Sequence, residues 1–219
     1  MSSRSTIAGA LALLAAPIVV IVATLTQPTL SGDAAKQVAA LTYHHGAMIT
    51  GMALGLIAVV LLIAGIIWLS LTLAPRAPRL ATAGGVLGVF GLLVVLFENS
   101  VAAASPAIVG GLDRIQATLV LDRIHSAAIS AVEPAALAGD IGLALLGIAA
   151  VKVGAPRWVG AAIVVGALGE GAGFATGTKA LVIIAFALLF AGLLQAVRTL
   201  VASPRRQLAA ERTQAAAVS

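Results

Sequence analysis

The chain has 219 residues, of which 61% are hydrophobic and 10% charged, and its mean hydropathy is +1.12. A polar surface cannot cover so large an apolar majority, which excludes a soluble globular protein and predicts an integral membrane protein. The net charge is +5, and arginine and lysine residues are concentrated in short loops and in the tail SPRRQLAAERTQ, as expected for cytoplasmic segments of a membrane protein. The basic charge therefore does not predict nucleic-acid binding. Because the sequence has no cysteine, any metal would need histidine and carboxylate ligands.

Six stretches predict membrane spans, because a bilayer core needs about 20 apolar residues per helix. They lie at about residues 6–27, 47–74, 80–104, 131–152, 157–176 and 180–202. Four sets of basic residues fall on one side of the membrane if the chain has six spans: Arg4; Arg76 and Arg79; Lys152 and Arg157; and Arg198, Arg205, Arg206 and Arg212. This arrangement predicts a cell-membrane protein with both termini in the cytoplasm. We therefore predict an all-α six-transmembrane-helix bundle over residues 1–204, followed by a basic, disordered cytoplasmic tail over 205–219.

The connection at residues 105–130 falls outside and repeats the tetrapeptide LDRI, at 112–115 and 121–124. Apolar Leu121 and Ile124 recur at helical spacing, which predicts an amphipathic helix at the outer membrane interface. The alternative is an ordinary loop helix. Pro134 should start or kink the fourth span, since proline lacks the backbone N–H.

A weak internal repeat relates two hairpins. His44 precedes Arg76 by the same number of residues as His125 precedes Arg157, and both helices end in APR. This spacing predicts that spans 2–3 and 4–5 are duplicated hairpins. Glycines four residues apart predict close helix packing in them: Gly51 and Gly55, Gly84 and Gly88, Gly169 and Gly173. The segments PRLATAGGVLGVFGLL and APRWVGAAIVVGALG resemble the uncharacterised, small, alanine-rich polytopic membrane proteins of high-GC actinobacteria. This resemblance implies a location in a bacterial plasma membrane and gives no indication of an activity.

Four carboxylic acids lie inside predicted spans, with no basic residue at comparable depth: Glu98, Glu133, Asp140 and Glu170. An unpartnered carboxylate there costs several kcal/mol, so each should be protonated, hydrogen-bonded, hydrated or metal-bound. Counting about 1.5 Å per residue from the inner basic residues places all four in the outer half. Capping or interfacial roles are the alternative for Glu98 and Glu133, and a protonated inter-helix hydrogen bond is the alternative for Asp140 and Glu170.

Asp140 and Glu170 share a depth on spans joined by a short turn, so we predict that they face each other and line the main pocket. Two carboxyls this close in a low dielectric should not both ionise. The inner half of every span from the second to the fifth lacks ionisable residues, which favours a pocket open to the outer side over a conduit.

The three histidines, His44, His45 and His125, lie at the outer ends of spans two and four. Three interpretations stay open. They are interfacial anchors beside Tyr43; or ligands of zinc, iron or copper together with Glu98 or Glu133; or bases and proton relays for the acids beneath them.

The function predicted from these features is binding of, or acid–base chemistry on, a lipid-soluble, isoprenoid-like small molecule in the outer pocket. An enzyme of this type would be cyclase- or isomerase-like, by analogy with membrane-bound terpene cyclases. The alternatives are a divalent-metal or proton-coupled transporter and an accessory subunit of a larger membrane complex. The sequence has no nucleotide-binding loop, nucleophile elbow or zinc-protease motif.

Overall fold

The computed structural model describes the backbone of residues 3–30 and 33–218 and the side chains of residues 5–30, 33–127, 132 and 134–201. Over these residues the fold is entirely helical, with no strand. The helices are α1 (Ser3–Thr26), α2 (Ala34–Tyr43), α3 (His45–Leu73), α4 (Pro78–Ala102), α5 (Ser105–Gly111), α6 (Arg114–Ile124), a π-helical turn (His125–Ile129), α7 (Ser130–Lys152), α8 (Arg157–Thr176) and α9 (Lys179–Val218).

Six helices of the described chain are long and apolar enough to cross a membrane, which confirms the predicted six-helix membrane bundle. The spans are Ser5–Thr26, His45–Leu73, Pro78–Gly111, Pro134–Lys152, Arg157–Thr176 and Lys179–Val201. The third is longer than predicted because α5 continues the apolar run of α4. Basic side chains mark one end of the bundle, here called the arginine end, and all are exposed: Arg76, Arg79, Lys152, Arg157 and Arg198.

The described parts of the six spans form a closed ring in which neighbours in the chain are neighbours in space. The order is α1, α3, α4, α7, α8 and α9, and α9 packs back against α1. The most extensive contacts join α1 to α3, α4 to α7 and α8 to α9. The predicted duplication pairs α3 with α4 and α7 with α8; these pairs also touch, and the duplication stays a prediction. Fully buried leucine and isoleucine side chains fill the half of the ring toward the arginine end: Leu13, Ile66, Leu69, Leu73, Leu146 and Ile163.

The contact between α4 and α7 is made by glycine backbones. A Cβ atom at Gly84 would lie 2.9 Å from the Gly142 carbonyl oxygen, and a Cβ at Gly142 would lie 2.7 Å from the Gly84 carbonyl oxygen. Real Cβ atoms do not approach other atoms so closely, so the two helices reach this separation only with glycine at both positions. Close approach gives the dispersion contacts that hold helices together in lipid, where the hydrophobic effect contributes little. Gly84 therefore does pack closely against another helix, but that helix is α7 of the second hairpin and not, as predicted, α3 of its own hairpin.

Two tight turns rely on glycine in conformations that side chains disfavour. Gly154 joins α7 to α8 with φ of 112°, and Gly177 ends α8 with φ of 65°. The Gly177 N–H bonds the Phe174 carbonyl at 3.1 Å, and the Thr178 N–H bonds the Gly173 carbonyl at 3.0 Å, which satisfies acceptors at the helix end.

Three short helices, α2, α5 and α6, cover the opposite end of the ring and are here called the cap. Asp33 begins α2 by accepting a hydrogen bond from the Lys36 N–H at 3.0 Å, and Asp113 begins α6 by accepting one from the Gln116 N–H at 2.9 Å. The first LDRI copy therefore supplies an N-cap, whereas the second lies within α6. The cap has its own apolar cluster, formed between α2 and α6 by Ala34, Val38, Ala117 and Leu121.

The outer connection is more helical than the sequence predicts. α6 passes through the π-helical turn directly into α7, and Pro134 is the first residue of the apolar span. At the other end of the chain, α9 continues through Val218, although disorder is predicted from residue 205. The alanine, glutamate, arginine and glutamine of AAERTQAAA have high helix propensity, which explains a helix there.

Candidate functional site

A cavity of about 220 Å³ lies inside the ring on the cap side. Helices α1, α3, α4, α8 and α9 form its walls, and Thr29 and Leu30 of the α1–α2 connection and Gln37 of α2 line its cap-side end. Leu62, Leu92 and Phe186 lie among the deepest lining residues, next to the apolar core of the arginine-end half. The cavity therefore occupies one half of the bundle thickness.

The wall of the cavity is mainly apolar with a few polar groups. The polar lining side chains are two threonines, three amides and one acid: Thr24, Thr29, Gln27, Gln37, Asn99 and Glu170. Glu170 is the one ionisable group among the described lining residues. Apolar walls with a few convergent polar groups are typical of small-molecule sites.

Glu170 lies on α8, six residues before the helix ends at Thr176, or roughly 9 Å along the axis. The residue is half-buried, and its Oε2 atom is fully buried and has no hydrogen-bond partner among the described residues. Buried polar atoms are normally paired, so an unpaired carboxyl oxygen at a cavity indicates a position where a ligand, a proton or water supplies the missing partner.

Asp140 approaches Glu170 from α7. Its Oδ2 atom lies against Gly171, where a Cβ atom would be 2.9 Å away, so the Asp140 carboxyl occupies the space that a side chain would fill. Gly171 follows Glu170 directly on α8, so the Asp140 carboxyl lies beside the turn of helix that carries Glu170. Asp140 is nevertheless not among the described residues that line the cavity. The structure thus brings the pair together, with Glu170 at the cavity and Asp140 behind it.

The other two acids occupy different positions. Glu98 is half-buried near the end of α4 and does not line the cavity, whereas the next residue, Asn99, does. The side chain of Glu133 lies outside the described residues. The roles proposed for both acids stay predictions.

His44 and His45 form the corner between the cap and the bundle. His44 ends α2 with φ of −133° and ψ of 39°, outside helical geometry, and its carbonyl accepts the Met48 N–H of α3 at 3.0 Å. Both histidine side chains are exposed. An exposed position at a helix corner agrees with the interfacial interpretation of this pair.

His125 connects the cap to the cavity. Its Nδ1–H donates to the Leu121 carbonyl at 2.8 Å, and its Nε2 accepts from the Gln37 side-chain amide at 3.4 Å. Gln37 in turn lines the cavity. The hydrogen bond therefore ties the π-helical turn to α2 directly above the candidate site.

Gln27 and Gln37 are site residues that the sequence reasoning missed. The Gln27 side chain packs over Gly51, and its backbone carbonyl accepts a hydrogen bond from the Lys179 ammonium at the start of α9. The signal was present in the sequence, since Gln27 is an uncharged polar residue at the end of the first predicted span and Gln37 lies in the connection that follows it. It was weak because such residues are also common in ordinary loops.

Within the described residues, no group of three histidine or acidic side chains could hold a metal ion, and metal binding stays a prediction. Comparison of the chain with protein-family models, with curated proteins and with solved structures finds no match.

Proposed function

We propose that this multi-pass membrane protein binds a small lipid-soluble molecule in the cap-side cavity, with Glu170 as its polar anchor. The observation that carries the proposal is the buried, unpaired Glu170 Oε2 at the wall of a mainly apolar cavity. Apolar walls favour a ligand that partitions into the bilayer, and the carboxyl with the neighbouring amides would fix its orientation.

The size of the cavity limits the ligand. Its 220 Å³ corresponds to about seven water molecules and is less than the roughly 300–1,000 Å³ of pockets for drug-sized ligands. The ligand is therefore a small molecule, of the size of a short isoprenoid, or the end of a longer one. A carboxyl in this position is also placed to give or accept a proton, so acid–base chemistry on the bound molecule belongs to the proposal.

The orientation in the membrane is part of the proposal. The exposed basic residues at the arginine end favour a cytoplasmic location for that end and an external location for the cap. Reporter fusions after Arg79 and after Pro204 are expected to report cytoplasm, and a fusion after Asp113 is expected to report the exterior. The reverse result for any of the three fusions would contradict the proposed external location of the cap and the cavity.

Filling the cavity tests whether it binds a ligand. Gly55 lines the cavity, and a Cβ atom there would have only the Asn99 side-chain oxygen nearby, 4.0 Å away. A leucine at this position should therefore extend into the cavity, since its Cβ atom meets no protein atom closer than 4.0 Å. We expect mass spectrometry of the purified protein to find a co-purifying small molecule in the wild type and at least tenfold less of it in Gly55→Leu.

Gly46→Leu is the matched control, because Gly46 lies on the same helix and a Cβ there meets nothing within 4 Å. It is outside the cavity, so it should keep the wild-type amount of ligand. Equal ligand content in both variants, or no ligand in the wild type, would contradict the proposal.

A further inference from the structure

We infer that the ligand of this cavity is a small lipophilic ammonium ion, held by the Glu170 carboxylate as its counter-ion. The inference rests on the proposed function and adds the charge of the ligand.

The ionisable groups at the described wall of the cavity favour a positively charged ligand. Glu170 is the ionisable residue there, with Asp140 behind it on α7, and no lysine, arginine or histidine is among the described lining residues. An anionic ligand would meet the Glu170 carboxyl, with the Asp140 carboxyl behind it, and no basic group among the described lining residues. Two basic side chains contact lining residues from outside the wall: the Lys179 ammonium donates to the Gln27 backbone carbonyl, and His125 shares a hydrogen bond with the Gln37 side chain.

The energetics of burial also favour a cation. A carboxylate without a partner in the membrane costs several kcal/mol, and charge pairing with a bound cation in a low dielectric offsets that cost. A neutral ligand would leave the carboxyl to hold its own proton. An ammonium ligand instead replaces that proton at Glu170, with no further change in the charge of the site.

The remaining lining groups suit the alkyl groups of such an ion. Phe174 and Phe186 offer aromatic rings, which attract ammonium ions through the ring quadrupole. Met48 and Met52 offer flexible thioether side chains that adapt to the shape of a ligand. The small volume limits the alkyl groups to short chains.

A pair of probes of equal shape and different charge tests the inference. Butyltrimethylammonium and its uncharged analogue, in which a carbon atom replaces the nitrogen, are titrated into the purified full chain in a neutral detergent. We expect the wild type to bind the ammonium probe at least tenfold more tightly than the neutral analogue. In Glu170→Gln that preference should disappear, with binding of the neutral analogue unchanged.

The comparison of the two probes on the wild-type protein tests the inference even if Glu170→Gln does not fold. Equal affinity of the two probes for the wild type would overturn the charge inference and leave the proposed lipid-soluble ligand intact. Binding of neither probe, together with no co-purifying molecule, would overturn both. Because no basic group lines the described cavity to meet a phosphate, added phosphatidylethanolamine should not displace the ammonium probe. Displacement would assign the site to a lipid headgroup and contradict a free ammonium ion.

Discussion

Replacing Gly142 by leucine is expected to abolish the folded bundle. The missing side chain of Gly142 leaves the space in which the backbone of α4 lies, with the Gly84 carbonyl oxygen 2.7 Å from the position of a Cβ atom. These are backbone atoms, so no rotamer change can relieve the clash, and α4 and α7 must separate. Detergent-solubilised Gly142→Leu should aggregate in size-exclusion chromatography or lose its cooperative thermal transition.

Gly46→Leu serves again as the control, since it makes the same change in a membrane helix at a position with open space. Leucine has a higher helix propensity than glycine by roughly 1 kcal/mol, so this variant should be as stable as the wild type or more so. A monodisperse Gly142→Leu with the wild-type transition temperature would show that the α4–α7 contact is not required.

Val38→Asp is expected to open the cap and expose the cavity. Val38 is 1% exposed and packs with Ala34, Ala117 and Leu121 between α2 and α6. Placing a carboxylate there should destabilise docking of α2 by roughly 3 kcal/mol, which raises the open population roughly a hundredfold. The sequence has no cysteine, so a single Thr24→Cys substitution in the cavity wall reports opening through its rate of reaction with a water-soluble maleimide.

The matched control is Ala35→Asp, on the exposed face of the same helix. A carboxylate in the first turn of a helix is favourable, so docking should be unchanged and labelling should stay slow. Similar labelling rates for Val38→Asp and Ala35→Asp would show that the α2–α6 cluster does not control access. Thermal unfolding of both variants distinguishes local opening from loss of the whole fold.

The sequence predicts the six spans well because each is an apolar run of the length a bilayer demands. It does not predict α2. The segment AAKQVAALTY is too short to span a membrane, and its apolar face, Val38 and Leu41, gains a partner only when α6 and α3 fold against it. A cap of this kind depends on contacts between segments far apart in the chain, which periodicity within one segment does not report.

The candidate site, too, is predicted only in part from the sequence. Asp140 and Glu170 stand out in the sequence because carboxylates are rare in apolar runs, and the structure brings them together. Which of them lines the cavity depends on the rotation of α7 and α8 about their axes. That rotation follows from glycine contacts on several helices, so the sequence alone could not place Glu170 at the wall and Asp140 behind it.

The closed ring makes the cavity depend on both the first and the last of the six described spans. The cavity wall draws on α1, which is synthesised first, and on α9, which contributes Phe186 and is synthesised last. α9 is the helix that joins α8 to α1, so without it the ring is open between these two helices. The cavity wall is therefore complete only with α9, and the five spans that precede it hold nearly every lining residue without forming a closed ring.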